Sequence, residues 1–159
     1  MREFLKRGVL FSAAVVCIPL VTAPNATPVQ LTKKVEESDP RLQKLKAFFS
    51  RFDCPALEYA HVFLEASDRQ SLDWRLLPGI SYVESTAGKA AKGNNIFGWD
   101  SGRARFASPT ASIHKVAYRL SEAPRYRGKT VDQKLALYNP GEGYARKVKA
   151  IMRQIEGIQ

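Results

Sequence analysis

The chain has 159 residues, 45% of them apolar and 25% charged, with ten glycines and nine prolines. That is the length of one domain and the composition of an ordinary globular protein, and it excludes collagen, coiled coil and wholesale disorder. Lys and Arg number 25 against 15 acids, a formal charge of +10, which points to an anionic partner: nucleic acid, an acidic membrane surface or an anionic polymer. Cys17 and Cys54 are too few for a disulfide framework. His61 and His114 stand far apart in sequence, so no metal-ligand pair is visible and chemistry without metal or cofactor is the expectation.

Arg2, Lys6 and Arg7 precede an apolar run from Gly8 to Val21, a charged segment followed by an apolar one of signal-peptide length. Residues 1–26 therefore read as an export leader or an uncleaved N-terminal membrane anchor. Residues 27–38, with Pro, Thr and charge but no apolar period, read as a linker. The expected location is the periplasm, cell envelope or exterior. Residues 39–159 are long enough to build one core.

Within that domain, Ser38-Asp39-Pro40 opens a first helix whose Leu42, Leu45, Phe49 and Phe52 share a face. Cys54-Pro55 starts a second, with a Leu57, Ala60 and Leu64 stripe flanked by Tyr59 and Phe63. Asp73 caps a third that runs through Leu77, Ile80 and Val83 towards Thr86, with Pro78 in its early part. From Ala87 to Pro109 the periodicity stops, and Gly88, Gly93, Gly98 and Gly102 mark a loop. A small hairpin is expected there, Ile96–Trp99 against Arg103–Ala107. Ile113, Val116 and Leu120 mark the next helix, Val131–Leu137 a short one, and Tyr144, Val148, Met152 and Ile155 the last. The expected class is mainly α, with one Gly-rich loop.

On a helical wheel Glu84 lies within about 60° of Leu77 and Ile80, so an acid sits on or beside the core-facing stripe. Burial raises a carboxyl pKa and keeps a proton available for general-acid work. A helix-edge Glu paired with Arg or reaching solvent is the plainer alternative.

The string around Glu84 is more specific. Leu77-Pro78-Gly79-Ile80-Ser81-Tyr82-Val83-Glu84-Ser85-Thr86-Ala87-Gly88-Lys89 is followed by Gly93-Asn94-Asn95-Ile96-Phe97-Gly98-Trp99, then Phe106-Ala107-Ser108 and Ser112. A final block runs from Leu137-Tyr138-Asn139-Pro140-Gly141 to Tyr144 and Val148. Together these resemble the bacterial glucosaminidases of the lysozyme-like superfamily, and the last block is also similar to the Tyr-Asn-x-Gly segment of lytic transglycosylases. The resemblance covers roughly Leu57 to Ile155. It implies a lysozyme-like helical domain that cleaves β-1,4 bonds of peptidoglycan, with Glu84 protonating the glycosidic oxygen. It further implies Tyr138 as a catalytic partner across the cleft and Ser85, Asn94, Asn95, Phe97, Asn139 and Tyr144 as substrate-binding positions. Asp100 is the best candidate for a second carboxylate that activates water.

Plainer readings stand beside these. Asn94-Asn95 and Asp100-Ser101-Gly102 could be turns, Phe97 and Trp99 core aromatics, and Tyr138-Asn139-Pro140 a helix stop. With a single acid, the substrate's acetamido group can assist hydrolysis, or the sugar's C6 hydroxyl can attack to give a 1,6-anhydro product. A catalytically silent wall-binding domain is a further alternative. Nucleic-acid binding through Arg103, Arg105, Arg125, Arg127, Lys129, Arg146, Lys147, Lys149 and Arg153 is disfavoured, because the bases are spread over several elements and the leader directs the chain away from nucleic acid. A monomer acting on glycan strands is the expectation.

Overall fold

The computed structural model describes residues 37–158; the expected leader and residues 27–36 lie outside them. Six α-helices follow one another: α1 (Pro40–Arg51), α2 (Ala60–Arg69), α3 (Leu76–Ser85), α4 (Pro109–Glu122), α5 (Val131–Tyr138) and α6 (Tyr144–Glu156), with a 3-10 helix at Pro55–Tyr59 before α2. The fold is mainly α, and no strand is present among the described residues.

Sequence chemistry sets the helix starts. Asp39 caps α1 by accepting from Arg41 N at 2.8 Å, Ser108 caps α4 by accepting from Ala111 N at 3.0 Å, and Thr130 with Gln133 forms a capping box on α5. Asp132, in the opening turn of α5, pairs with Lys149 at 2.6 Å. Two starts differ from expectation. Pro55–Tyr59 winds as a 3-10 helix, which turns Leu57 outward to 38% exposure instead of into the stripe. The third helix begins at Leu76 and not after Asp73: the Asp73 carbonyl and carboxylate hold a preceding turn, accepting from Leu76 N (2.9 Å) and Arg75 N (3.0 Å). The reason is Pro78. A helix starting at Trp74 would place the proline where an i−4 hydrogen bond is due, whereas starting at Leu76 keeps it in the first turn.

The core gathers Leu42, Leu45, Phe48 and Phe49 of α1, Phe63 and Leu64 of α2, Leu76, Leu77 and Ile80 of α3, Ile113 and Leu120 of α4, and Val148 and Ile155 of α6. Phe48 is fully buried while Phe52, placed on the stripe by periodicity, is only half-buried. The innermost helix is α3, buried from Leu76 through Ser81. It meets α6 at Gly79, where a Cβ would stand 3.1 Å from Met152 Cγ and 3.3 Å from Val148 Cγ1. A side chain there would push the two helices apart. This close approach fixes α6, and with it Tyr144, against the helix that carries Glu84.

Candidate active site

Glu84 occupies the last turn of α3, half-buried, one residue before the buried Ser85. The helix then ends abruptly. Thr86, Ala87 and Gly88 all adopt positive φ (52°, 50° and 108°), and Ala87 N reaches back to Ser81 O at 3.0 Å in a Schellman-type closure. Two non-glycine residues in succession in this region are uncommon and cost free energy. They reverse the chain so that residues 93–99 return over the end of α3.

Ser85 fastens that return. Its Oγ donates to Ile96 O at 2.7 Å and accepts from Gly88 N at 2.9 Å. The resemblance marked it for substrate binding, but at 4% exposure it joins helix to loop and is out of reach of a ligand. Ser85→Ala leaves a buried carbonyl and a buried N–H unpaired, so a loss of about 1–3 kcal/mol is expected, read from the midpoint of urea unfolding; a change under about 0.5 kcal/mol would show that the hydroxyl holds nothing.

The loop is not the expected hairpin. Asn95, 4% exposed, uses its side chain as a substitute backbone: Nδ2 donates to Trp99 O (2.9 Å) and Ala104 O (3.2 Å), and Oδ1 accepts from Trp99 N (2.8 Å). Gly98, inside the expected first strand, has a φ of 59°, which an extended strand cannot hold. Asn94, also at positive φ (58°), donates to Phe106 O at 2.9 Å and ties the two limbs together. Phe97 is fully buried against Phe63, ring centroids 6.2 Å apart. Asn95 and Phe97 therefore build the loop from within, which corrects their expected contact with substrate; Asn94 remains exposed but its amide is engaged.

Four residues meet at the resulting surface: Glu84, Gly98, Tyr138 and Tyr144. The Glu84 carboxylate lies over Gly98, where a Cβ would come within 2.6 Å of Oε2. Tyr138, at the end of α5, donates its hydroxyl to Phe97 O and so ties α5 to the loop. Burial, reinforced by Glu84 and then by Tyr126, pushes its pKa well up. Tyr144 stacks on Tyr138 (centroids 6.0 Å apart, planes 5° apart). Its buried hydroxyl has no partner of good hydrogen-bond geometry, yet burial and the adjacent Glu84 raise its pKa. Burial and the nearby Glu84 charge thus disfavour ionising either phenol, and Tyr138 spends its one O–H on Phe97 O. With 7% exposure, Tyr144 supports Glu84 and is placed poorly for direct substrate contact.

Asp100 and Asn139 are less central. Asp100 is exposed and pairs with Arg103 at 2.7 Å, a hydrogen bond that lowers its pKa. It stands at the loop's tip, where Arg103 donates to one oxygen at 2.7 Å and to the other at 3.4 Å, leaving its other lone pairs open to solvent. Asn139 caps the end of α5 and accepts from Gly141 N at 2.9 Å, shaping the turn into α6. Among the described residues no cluster of His, Cys, Asp and Glu could hold a metal, and no helix is long and apolar enough to cross a membrane.

Beside this group opens a cleft of about 520 Å³, bounded by Gly98, Trp99, Asp100, Arg119, Arg125, Tyr126 and Tyr138. Glu84 is not on its wall; it lies against Gly98, which forms the rim. Lys134 fixes the cleft's far side, its buried ammonium donating to Leu120 O and Tyr126 O at 2.8 Å each, and burial lowers its pKa. Lys134→Met removes charged donors from two carbonyls and should cost about 2–4 kcal/mol, visible as a lower thermal midpoint; an unchanged midpoint would mean these carbonyls find water. Sequence reasoning named Arg125 only as a possible nucleic-acid contact and Trp99 as part of the motif or a core aromatic, and did not single out Arg119, which nothing distinguishes from other helix-surface arginines. Compared with known proteins, the sequence matches no family model and no curated protein sequence.

Proposed function

We propose that this protein is an exported, lysozyme-like glycosidase that cleaves β-1,4 bonds of the peptidoglycan glycan strand, with Glu84 as the proton donor. One observation carries the reading: among the described residues, the carboxylate set against Gly98, Tyr138 and Tyr144, beside an open cleft, is Glu84 at the end of the central helix. A glycosidic oxygen presented over Gly98 would take the proton from Glu84 as the C1–O bond breaks, and positive charge would build on the sugar ring. Tyr138 and Tyr144 wall the carboxyl on the side away from solvent, and the cleft accommodates the strand. The resemblance in the Glu84, Asn94–Trp99 and Tyr138–Val148 blocks supplies the substrate class, and a formal charge of +10 favours residence on an anionic envelope.

Hydrolysis is the leading outcome, with the 2-acetamido group of the substrate assisting at C1 and water completing the reaction. The pairing of Asp100 with Arg103 favours a one-acid route and so keeps the transglycosylase reading in play, in which the sugar's own C6 hydroxyl attacks C1. Incubating the protein with intact peptidoglycan and weighing the soluble fragments separates them. Ordinary reducing ends mean a hydrolase. Fragments lighter by one water, with 1,6-anhydro ends, mean a transglycosylase. No fragments, with co-sedimentation on the wall, would overturn the enzymatic reading in favour of a binding domain.

A further inference from the structure

The cleft beside Gly98 has a charge pattern that acid catalysis does not need. Arg119, on α4, is exposed, and its side chain makes no hydrogen bond or ion pair among the described residues. Arg125, just beyond α4, is held in place: one Nη donates to Leu137 O at 2.9 Å, and the guanidinium carbon stands 5.9 Å from the centre of the Tyr126 ring. That single tether leaves further N–H groups free and costs little ordering entropy when a ligand arrives. Among the described residues the one carboxylate on the cleft wall is Asp100, which pairs with Arg103. Two guanidiniums without anionic partners thus face a space walled by Trp99, Tyr126 and Tyr138.

From this we infer that the cleft is a carboxylate-binding subsite, in which Arg119 and Arg125 grip a carboxylate carried by the glycan strand while the aromatic wall takes a sugar face. The inference rests on the proposed substrate class. In peptidoglycan the carboxylate has two sources: the free lactyl group of a sugar stripped of peptide, or the peptide stem attached there. Guanidinium forks match either one, often through two parallel N–H···O bonds. The subsite would orient the strand so that the bond to be cut lies over Gly98 and Glu84, and neutral glucosamine polymers would lack the grip.

The test uses the full chain carrying Glu84→Gln, so that ligands survive, and calorimetric titration with three soluble probes of similar length: a neutral N-acetylglucosamine oligomer, glycan strands stripped of stems, and strands retaining them. The anionic strands should bind about tenfold or more tighter than the neutral oligomer. Adding Arg119→Gln or Arg125→Gln should shrink that gap to threefold or less. A preference for stripped strands assigns the lactyl carboxylate, which the amide bond to the stem otherwise consumes; a preference for stemmed strands assigns the stem, and equal binding shows that the arginines take either carboxylate. Equal affinity for anionic and neutral probes, or arginine variants that keep the full gap, would overturn the subsite while leaving glycan cleavage by Glu84 standing. Tighter arginine-dependent binding of a single-stranded DNA oligomer than of any glycan would also overturn it. Absence of cleavage by the native chain, with the gap intact, would instead remove the catalytic reading alone.

Discussion

Glu84→Gln should abolish peptidoglycan cleavage, lowering the rate by about 10²–10⁴-fold or more, while leaving the fold in place. The amide keeps the size of the carboxylate and can still sit beside Gly98 and Tyr144, but it cannot give up a proton to a departing sugar oxygen. Glu84 has no ion pair among the described residues, so its neutralisation strands no buried cation. The stability change should stay within about 1 kcal/mol. The measurement is fragment release from whole peptidoglycan, paired with a melting curve for each protein. A folded variant that still releases fragments at the native rate would remove Glu84 from the reaction.

Much of the scaffold is legible in the sequence because each helix carries its own signals. Asp39-Pro40, Ser108-Pro109 and Thr130 with Gln133 announce starts, and the α4 and α6 stripes have few polar interruptions. The exceptions have local causes. Pro78 delays α3 by two residues, and Pro55 begins a tighter helix than periodicity predicts. The wheel also places Glu84 correctly in kind: it lies at the edge of the buried face, half-covered, neither free in solvent nor sealed in the core.

The loop was the hard part. Glycine spacing and an Asp-Ser-Gly triplet predict a hairpin equally well as the curl that forms, because both need positive φ near residues 100–102. What decides is Asn95, whose amide captures the N–H and C=O of Trp99 and so takes away the groups a strand ladder would use. Sequence cannot tell such a buried Asn from one that faces a ligand, since either environment asks for the same donors and acceptors. The same ambiguity holds for Ser85 and Phe97. Motif resemblance picks out positions that matter to the site, and burial then separates those that build it from those that can touch a substrate. Asp100 shows the reverse case: its exposure is right for chemistry, but Arg103, three residues on, pairs with it.

Gly98→Ala should separate activity from stability more sharply than any core substitution. At φ 59° a Cβ costs about 1 kcal/mol through backbone strain, which sets a modest loss of stability. Its larger effect is steric. The methyl would stand 2.6 Å from Glu84 Oε2, too close for contact, and the end of a Glu side chain yields more readily than the loop, which Asn95 and Tyr138 hold at Trp99 and Phe97. The carboxylate therefore swings away from the rim on which the scissile bond would rest, and a displacement of about 1 Å can lower a rate by 10²-fold. The variant should thus melt only slightly below the native protein and yet release fragments about 10²-fold more slowly, with carboxylate-bearing strands still bound, since Arg119 and Arg125 are untouched. Native-like turnover in Gly98→Ala would mean that the position of Glu84 over this glycine does not matter to catalysis. A large loss of stability would place the cost in the loop backbone instead. The first result would relocate the reacting bond away from Gly98; the second would make backbone geometry, and not clearance for the acid, the reason for a side-chain-free residue there.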